Sequence, residues 1–171
     1  MKKKILIVES DAIIAMGIEA CLHDPHRMSC RIVATGQEAV CEVKRGMYDL
    51  ILSEVVLSGG MDGIEAVARI RTFSDIPVIF VTTCTDIDTH HHAIALKSSM
   101  VVRKPFEVDH MLYTVEKILL EDDREREFRK LSSELETLVE STHNYEDVLM
   151  RLMGGDGIRN YSDATAEMEF A

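Results

Sequence analysis

Positive charge is scarce in this chain of 171 residues. Its 19 lysines and arginines stand against 30 aspartates and glutamates, which gives a formal net charge of −11. Proteins that hold nucleic acid or lie on an anionic membrane surface depend on clustered basic side chains. The sequence therefore predicts no nucleic-acid partner and no membrane role.

The chain also lacks the patterns of disulfide-stapled and membrane-spanning proteins. None of its four cysteines, at positions 21, 30, 41 and 84, belongs to a CxxC pair. Their apolar contexts favour reduced core thiols in a cytoplasmic protein. No apolar run approaches the ~18 residues that a transmembrane helix needs. With 46% hydrophobic residues, the chain can form one domain with a core and an additional segment.

Short β-rich runs alternate with helical patterns over roughly the first 120 residues. The expected strands are Lys4–Val8, Cys30–Ala34, Asp49–Ser53, Val78–Thr82 and Met100–Arg103. Three of them are nearly continuous apolar runs, which is typical of strands covered on both faces. The alternation predicts right-handed βαβ units and an α/β fold with a doubly wound parallel sheet.

The helical segments carry apolar stripes and start signals. In the first segment, the predicted stripe consists of Ile13, Ile14, Gly17, Ile18, Cys21 and Leu22. Thr35 with Glu38, and Asp62 with Glu65, have the spacing of a capping box. These pairs predict the starts of two further helices.

The composition changes after Leu120. Residues 121–130 are mostly charged, and a heptad series then follows, formed by Phe128, Leu131, Leu135, Leu138, Thr142, Tyr145, Leu149 and Leu152. The alternating spacings of three and four are typical of a coiled coil. The sequence therefore predicts a first domain at 1–120, a helical extension at 121–153 and a disordered tail at 154–171.

The most informative stretch is residues 49–63, in which an apolar run leads to Glu54, then to a glycine-rich turn and a helix start. Folds of the α/β class place their sites at the carboxyl edge of the sheet. The same edge would receive Glu9 after the first strand, Thr82 at the end of the fourth and Lys104 after the fifth.

This set of residues closely resembles the phosphoacceptor region of response-regulator receiver domains. The segments Met61–Gly63, Ile76–Val78 and Lys104–Phe106 add to the resemblance, which covers about residues 3–120. It implies a flavodoxin-like sheet with the strand order 2-1-3-4-5. It also implies a role in two-component or phosphorelay signalling, with a histidine kinase or a downstream signalling protein as partner.

In receiver domains an acidic pair binds Mg²⁺, an aspartate accepts the phosphoryl group, and a hydroxyl and a lysine contact it. Magnesium prefers oxygen ligands, and phosphoryl transfer depends on positioning and charge neutralisation. By position, the resemblance assigns the acidic pair to Glu9 and Ser10, the acceptor to Glu54, a metal-ligating carbonyl to Val56, the hydroxyl to Thr82, the switching aromatic to Val101 and the lysine to Lys104.

Glu54 and Val101 depart from the family pattern, which has aspartate and an aromatic residue there. The extra methylene of Glu54 moves its oxygens by roughly 1 Å, and such a misplacement can cost about 10²-fold in an oriented reaction. A carboxylate on a longer arm beside Lys104 would form a salt bridge that closes the pocket. The sequence therefore predicts a pseudo-receiver that is not phosphorylated at Glu54.

Ser10 is the third departure, because it removes a carboxylate from the metal site. It leaves Glu9 as a weak magnesium ligand, and no other cofactor is expected. Ser10 is also a good N-cap residue for the first helix. Asp11 is counted with Glu9 and Ser10 among the pocket residues, although its expected place in the first helical turn would point its side chain elsewhere.

Two other functions stay open on the sequence. One is a conventional phosphoacceptor that tolerates Glu54, and the other is a small phosphatase-like enzyme that uses the acidic pocket. A phosphatase of this kind would need an aspartate nucleophile, so no enzyme activity is expected. The consecutive histidines 90–92 do not share a helix face and predict no metal site, and His110 is expected at the surface.

The heptad series has two interpretations. The first is a parallel coiled-coil homodimer through residues 128–152, with Thr142 as a weak polar layer. The second is a hairpin, in which residues 141–144 form a turn and Asn144 caps a short helix that folds back. The unbroken spacing through Thr142 favours the dimer.

Overall fold

The computed structural model describes residues 2–22, 24, 26–83, 95–96 and 99–152, with side chains of the last helix described as far as Ser141. The strands are β1 (Lys3–Val8), β2 (Met28–Val33), β3 (Leu50–Ser53), β4 (Val78–Thr82) and β5 (Ser99–Arg103). The helices in the described ranges are α1 (Ala12–Cys21), α2 (Gly36–Arg45), α3 (Gly63–Ile70) and α4 (Val108–Leu152).

The strands form one parallel sheet in the order β2-β1-β3-β4-β5. This confirms the predicted doubly wound fold, and each predicted strand boundary lies within two residues of the observed one. The register of the central strands pairs Val8 of β1 with Ser53 of β3, and Thr82 of β4 with Arg103 of β5. The carboxyl ends of these strands therefore lie side by side.

Both faces of the sheet are covered, which accounts for the apolar runs in its strands. Ile5, Leu6 and Ile7 of β1 are fully buried. Leu6 belongs to the core cluster on one face, and its neighbours Ile5 and Ile7 belong to the cluster on the other. Successive side chains of a strand point to opposite faces, so a strand with two covered faces needs an apolar residue at nearly every position.

The predicted apolar stripe of α1 was wrong in part. The buried residues of this helix are Ala15 and Ile18, followed by Leu22 at its C-terminal end. Ile13, which the stripe included, is 82% exposed, and Ile14 is 38% exposed. Ala15 and Ile18 belong to the core cluster on one face of the sheet. Ile13 lies two residues before Ala15, about 200° around the helix, and therefore points away from the sheet.

Two helix starts follow the sequence pattern. The Thr35 side chain accepts a hydrogen bond from the amide of Glu38, whose carboxylate accepts one from the amide of Thr35. This confirms the predicted capping box of α2. The Asp62 side chain likewise accepts from the amide of Glu65 at 2.7 Å and caps α3.

The C-terminal helix α4 is continuous from Val108 to Leu152. Its path through residues 141–144 shows that the hairpin interpretation, which needs a turn there, was wrong. The chain divides into two compact units, Met1–Asp123 and Arg124–Ala171. In the second unit, the described apolar positions of the heptad series are more than half exposed, namely Phe128, Leu131, Leu135 and Leu138.

Cys21, Cys30 and Cys41 are free thiols, and all three are partly buried rather than deep in the core. Burial is the main cause that raises the pKa of Cys30 to about 11, so its thiol stays protonated at neutral pH. Cys84, the histidines 90–92 and the predicted tail at 154–171 lie outside the described residues. In the part of the chain that is described, no helix has the length and apolar character to span a bilayer.

Candidate functional site

Four side chains that the sequence singled out lie at the carboxyl edge of the sheet. Glu9 follows β1, Glu54 follows β3, Thr82 is the last residue of β4, and Lys104 follows β5. Backbone bonds fix these positions, because the amide of Glu54 donates to the carbonyl of Val8, and that of Lys104 donates to the carbonyl of Thr82. The strand register thus brings two acids and a lysine to one place.

Lys104 bridges the two acids. Its ammonium nitrogen lies 2.6 Å from Oε2 of Glu9 and 2.5 Å from Oε2 of Glu54. The side chains of Glu9, Glu54 and Lys104 are each at most 9% exposed. One cation is therefore held between two carboxylates, largely away from water.

The second carboxylate oxygen of Glu54 is also engaged. Oε1 accepts hydrogen bonds from the amide of Val55 at 2.7 Å and from that of Val56 at 3.3 Å. The extra methylene of glutamate allows the carboxylate to fold back over the amides that follow it while it still reaches Lys104. Both oxygens of Glu54 consequently have partners inside the protein.

Glu9 is oriented by the chain that leads into α1. Its Oε1 accepts from the amide of Asp11 at 3.0 Å, while its Oε2 contacts Lys104. Asp11, and not Ser10, is the N-cap of α1, since the Asp11 side chain accepts from the amides of Ile13 and Ile14. The predicted capping role of Ser10, and the place of Asp11 inside the first turn, were therefore wrong.

The physical reason lies in the hydrogen bond between Glu9 and the Asp11 amide. Because of this bond, residues 9–11 form the connection between β1 and α1. The N-cap is therefore Asp11, one residue after Ser10, which the sequence suggested as the cap. Asp11 turns its carboxylate to the helix end, and Ser10 is exposed.

The electrostatics of the pocket favour a charged lysine. Burial by itself lowers the pKa of Lys104, but the hydrogen bonds and negative charges of Glu54 and Glu9 outweigh burial and raise it above its ordinary value. The ammonium therefore persists throughout the physiological pH range.

The turn after β3 includes a close backbone approach that sequence reasoning missed. A Cβ atom added to Gly63 would lie 1.9 Å from the carbonyl oxygen of Glu54 and 2.8 Å from Oγ of Ser53. The amide of Gly63 donates to the carbonyl of Val55 at 2.8 Å, which holds the start of α3 against the end of β3. Gly63 at the first position of α3, directly after the N-cap Asp62, was the sequence feature that could have predicted this close approach.

Two further predicted site residues lie in β4 and β5, the strands that end at this edge of the sheet. Thr82 is 3% exposed, and Val101 is half-buried against the core cluster that contains Phe80. The peptide bond between Lys104 and Pro105 is cis. His110 is exposed near the start of α4, as predicted for a surface histidine.

The pocket does not fit Mg²⁺ in this arrangement. Magnesium needs one or two carboxylates as ligands, and the inward oxygens of Glu9 and Glu54 both contact the Lys104 ammonium. Across the described ranges, no group of three His, Cys, Asp or Glu side chains is placed to hold a metal ion. Val56, whose carbonyl the resemblance assigned to the metal, is 69% exposed and has its amide directed to Glu54.

Comparison with known proteins identifies similar sequences. Residues 5–116 match the response regulator receiver domain family. The transcriptional regulatory protein YvrH of Bacillus subtilis is 32% identical over 102 residues, which is 60% of this chain and 43% of that protein. The chain spans about half the length of the curated relatives that it matches.

Two solved structures are also similar. The N-terminal domain of a response regulator/sensory box/GGDEF protein from Carboxydothermus hydrogenoformans is 31% identical, with a TM-score of 0.63, and the match covers 72% of this chain and 98% of that one. A fusion that carries a trimeric coiled-coil segment from yeast is 29% identical, with a TM-score of 0.69. That match covers 85% of this chain and 97% of the fusion.

Proposed function

Because this chain belongs to the response regulator receiver family, we propose that it is a pseudo-receiver, which signals by protein contact without phosphorylation at Glu54. Its partner is a histidine kinase or a downstream signalling protein, and it acts in the cytoplasm. It has no catalytic role of its own.

The observation that carries this proposal is the position of the Lys104 ammonium between Glu9 and Glu54. Phosphoryl transfer to a carboxylate needs a free attacking oxygen and cations that neutralise the transferred group. Here both oxygens of Glu54 have partners, and the lysine that would stabilise the product is engaged with the acceptor itself. The Glu54 carboxylate is therefore a poor nucleophile, because Oε1 already accepts two hydrogen bonds and Oε2 is held against the Lys104 ammonium.

Labelling by a small phosphodonor tests the proposal. We expect no stable acyl phosphate on the unmodified chain in the presence of Mg²⁺. The paired change Glu54→Asp with Ser10→Asp shortens the acceptor and adds a carboxylate, so this variant should gain labelling. A label on the unmodified chain that maps to Glu54 would overturn the proposal.

We propose further that the chain binds Mg²⁺ weakly at most, because a metal ion would have to displace Lys104. Thermal unfolding of the unmodified chain should not respond to low-millimolar Mg²⁺ beyond the effect of ionic strength. Clear stabilisation that disappears in Glu9→Ala would show that the metal displaces the lysine after all.

The second unit supports a proposal about assembly, namely a parallel homodimer through residues 128–152. An isolated helix would leave its apolar stripe in water, whereas burying each leucine contributes about 1.5–3 kcal/mol. The solved fusion supports a coiled coil but not its strand number, because its match covers 85% of this chain, more than the unit Met1–Asp123, while the coiled-coil segment that it carries is trimeric. We infer that two copies pair through this helix and so form one signalling dimer that contains two receiver domains.

A further inference from the structure

A cavity of about 710 Å³ lies at the amino edge of the sheet, where β1 and β2 begin side by side. This edge is opposite to the one that carries Lys104. The whole lining belongs to the unit Met1–Asp123. The volume lies in the range of pockets that hold small molecules. We call this space the amino-edge cavity, and its lining residues include Lys2, Lys3, His26, Arg27, Leu120 and Asp123.

Two ion pairs connect the walls of the amino-edge cavity. Nη1 of Arg27 lies 3.4 Å from Oε1 of Glu116, and Nζ of Lys3 lies 2.6 Å from Oδ1 of Asp123. The two acids are seven residues apart on α4, so they lie on one face of the helix and about 10 Å apart along its axis. Leu120 lies between them in the sequence and is 52% exposed. This length has room for one ring and one phosphate group.

The loop before β2 fixes the cationic wall. Oδ1 of Asp24 accepts hydrogen bonds from the amide of His26 at 3.0 Å and from that of Arg27 at 3.1 Å. The amide of Lys3 donates to the carbonyl of Arg27 at 2.8 Å, which ties the loop to the start of β1. The backbone therefore holds His26 and Arg27 beside β1 without any ligand.

The positive groups of this wall are not all engaged to the same degree. Lys3 is held by Asp123, whose two carboxylate oxygens lie 2.6 and 2.9 Å from its ammonium. The bond of Arg27 is long, and its side chain is 68% exposed. Among the described residues, no side chain forms a hydrogen bond or an ion pair with the side chain of Lys2 or His26, and both are exposed. In a chain of net charge −11, this wall thus offers three groups that can bind an anion.

We propose that the amino-edge cavity binds a small organic phosphate, a phosphate monoester with an apolar or aromatic body. The phosphate contacts Lys2, His26 and Arg27, and the body lies on Leu120. A phosphate has enough acceptor oxygens for several donors at once, and lysine and arginine both bind it well. The inference goes beyond the proposed function and does not involve the Lys104 pocket. Such a ligand would give the chain an input at α4 that needs no phosphorylation.

Phenyl phosphate is the probe, because it combines one ring with one phosphate group. Inorganic phosphate and phenol are its controls, since each supplies one half of the molecule. The experiment is a titration of the full unmodified chain, followed by its amide spectrum at constant ionic strength and without Mg²⁺. We expect saturable movement of the signals of His26, Arg27 and Leu120, with a dissociation constant of about 1 mM or somewhat below, as about eleven heavy atoms allow. Each control should bind at least about ten times more weakly, since each lacks one of the two contact types.

Variants at exposed positions assign the contacts without threatening the fold. Lys2→Met with His26→Asn removes the two side chains that have no partner, and should weaken phenyl phosphate binding about tenfold or more. Lys117→Met with His110→Asn is the matched control, because it removes the same types of side chain from exposed positions of α4 outside the cavity. This control should bind like the unmodified chain. Leu120→Ser should weaken phenyl phosphate and leave the weak effect of inorganic phosphate unchanged.

A phosphate group can also come from a lipid, so vesicles of phosphatidic acid with phosphatidylcholine form a further arm. We expect no co-sedimentation, because the net charge of −11 opposes an anionic surface. Co-sedimentation that is lost in Lys2→Met with His26→Asn would assign the wall to a lipid surface and overturn the small ligand.

Three other results would overturn the proposal. They are equal affinities for phenyl phosphate and inorganic phosphate, unchanged binding in Lys2→Met with His26→Asn, and movement of the Val55 and Val56 signals in place of those around the cavity. The labelling experiment concerns Glu54 at the opposite edge of the sheet, so a labelled chain would overturn the proposed function and leave this site untouched. The two proposals can therefore fail separately.

Discussion

At the scale of single residues, the pocket depends on how far one side chain reaches. Oε1 of Glu54 accepts hydrogen bonds from the amides of Val55 and Val56, and Oε2 contacts the ammonium of Lys104. The sequence predicted the salt bridge to Lys104, because an acid and a lysine were expected at the same sheet edge. It did not predict the share of Glu9 in that bridge or the folding back of Glu54, since both depend on side-chain conformation and not on residue spacing.

Lys104→Met should destabilise the protein strongly at neutral pH. It leaves two nearly buried carboxylates without their cation, and breaking a buried ion pair by removing one partner costs about 3–5 kcal/mol. Lys3→Met is the matched control, because the ion pair of Lys3 with Asp123 is partly exposed and should contribute at most about 1 kcal/mol. Equal losses in urea unfolding of the two variants would contradict the bridging role of Lys104.

The stability that Lys104 provides should depend on pH on the alkaline side. Its pKa is raised in the folded protein, so the folded chain keeps this proton to higher pH than the unfolded chain does. The contribution is complete below the ordinary lysine pKa of about 10.4 and is lost as pH rises through the raised value. The difference in unfolding free energy between the unmodified chain and Lys104→Met should therefore be constant from pH 7 to about 10 and shrink above that.

Gly63→Ala should be among the most destabilising single-methyl additions to the chain. The new Cβ would lie 1.9 Å from the Glu54 carbonyl oxygen, so the end of β3 or the start of α3 must move. Overpacking costs about 1–3 kcal/mol and more where backbone has to shift. Gly17→Ala is the control, since a Cβ there meets no atom within 4 Å and a helical alanine should stabilise by about 0.5–1 kcal/mol. A Gly63→Ala chain as stable as the unmodified one would contradict the close approach.

At the scale of elements, the sheet was predictable and the faces of the helices were less so. Apolar runs such as Leu50–Leu52 identify strands covered on both sides, and the alternation with helices leaves a parallel sheet as the simple solution. In α1 nearly every residue is apolar, so periodicity does not distinguish a buried face. Packing decides which face is buried, because Ala15 and Ile18 lie in the core cluster whereas Ile13 is exposed.

The start of α1 offers a test of the corrected cap. Asp11→Ala removes the side chain that accepts from the amides of Ile13 and Ile14, and the loss of an N-cap typically costs about 1 kcal/mol. Ser10→Ala should change stability by less than about 0.5 kcal/mol, because Ser10 is exposed and does not cap the helix. Chemical unfolding of the two variants decides the matter, and a larger loss for Ser10→Ala would restore the original assignment.

At the scale of the whole molecule, the C-terminal helix predicts a concentration-dependent assembly. We expect a homodimer at tens of micromolar in sedimentation experiments. Leu135→Asp with Leu149→Asp places two charges in the heptad series and should give a folded monomer. Ser133→Asp with Thr137→Asp, which adds the same charge off the series, should leave the dimer intact.

An unmodified chain that is monomeric under these conditions would contradict the coiled coil, and a trimer would contradict the two-stranded form. The sequence predicted the helix, because the heptad spacing continues through Thr142. It could not exclude the hairpin, since Ser141 and Asn144 are common at turns and helix caps alike. The continuity of α4 from Val108 to Leu152 excludes the hairpin, and the dimer stays a prediction.

We propose that Lys104 closes the pocket, which therefore does not respond to phosphorylation conditions. The most direct test is the amide spectrum of the unmodified chain, recorded before and after the addition of Mg²⁺ and acetyl phosphate. We predict that the signals of Val55, Val56 and Lys104 stay in place, while those of the Glu54→Asp, Ser10→Asp variant move. Movement of these signals in the unmodified chain, together with a phosphoryl group on Glu54, would contradict the claim.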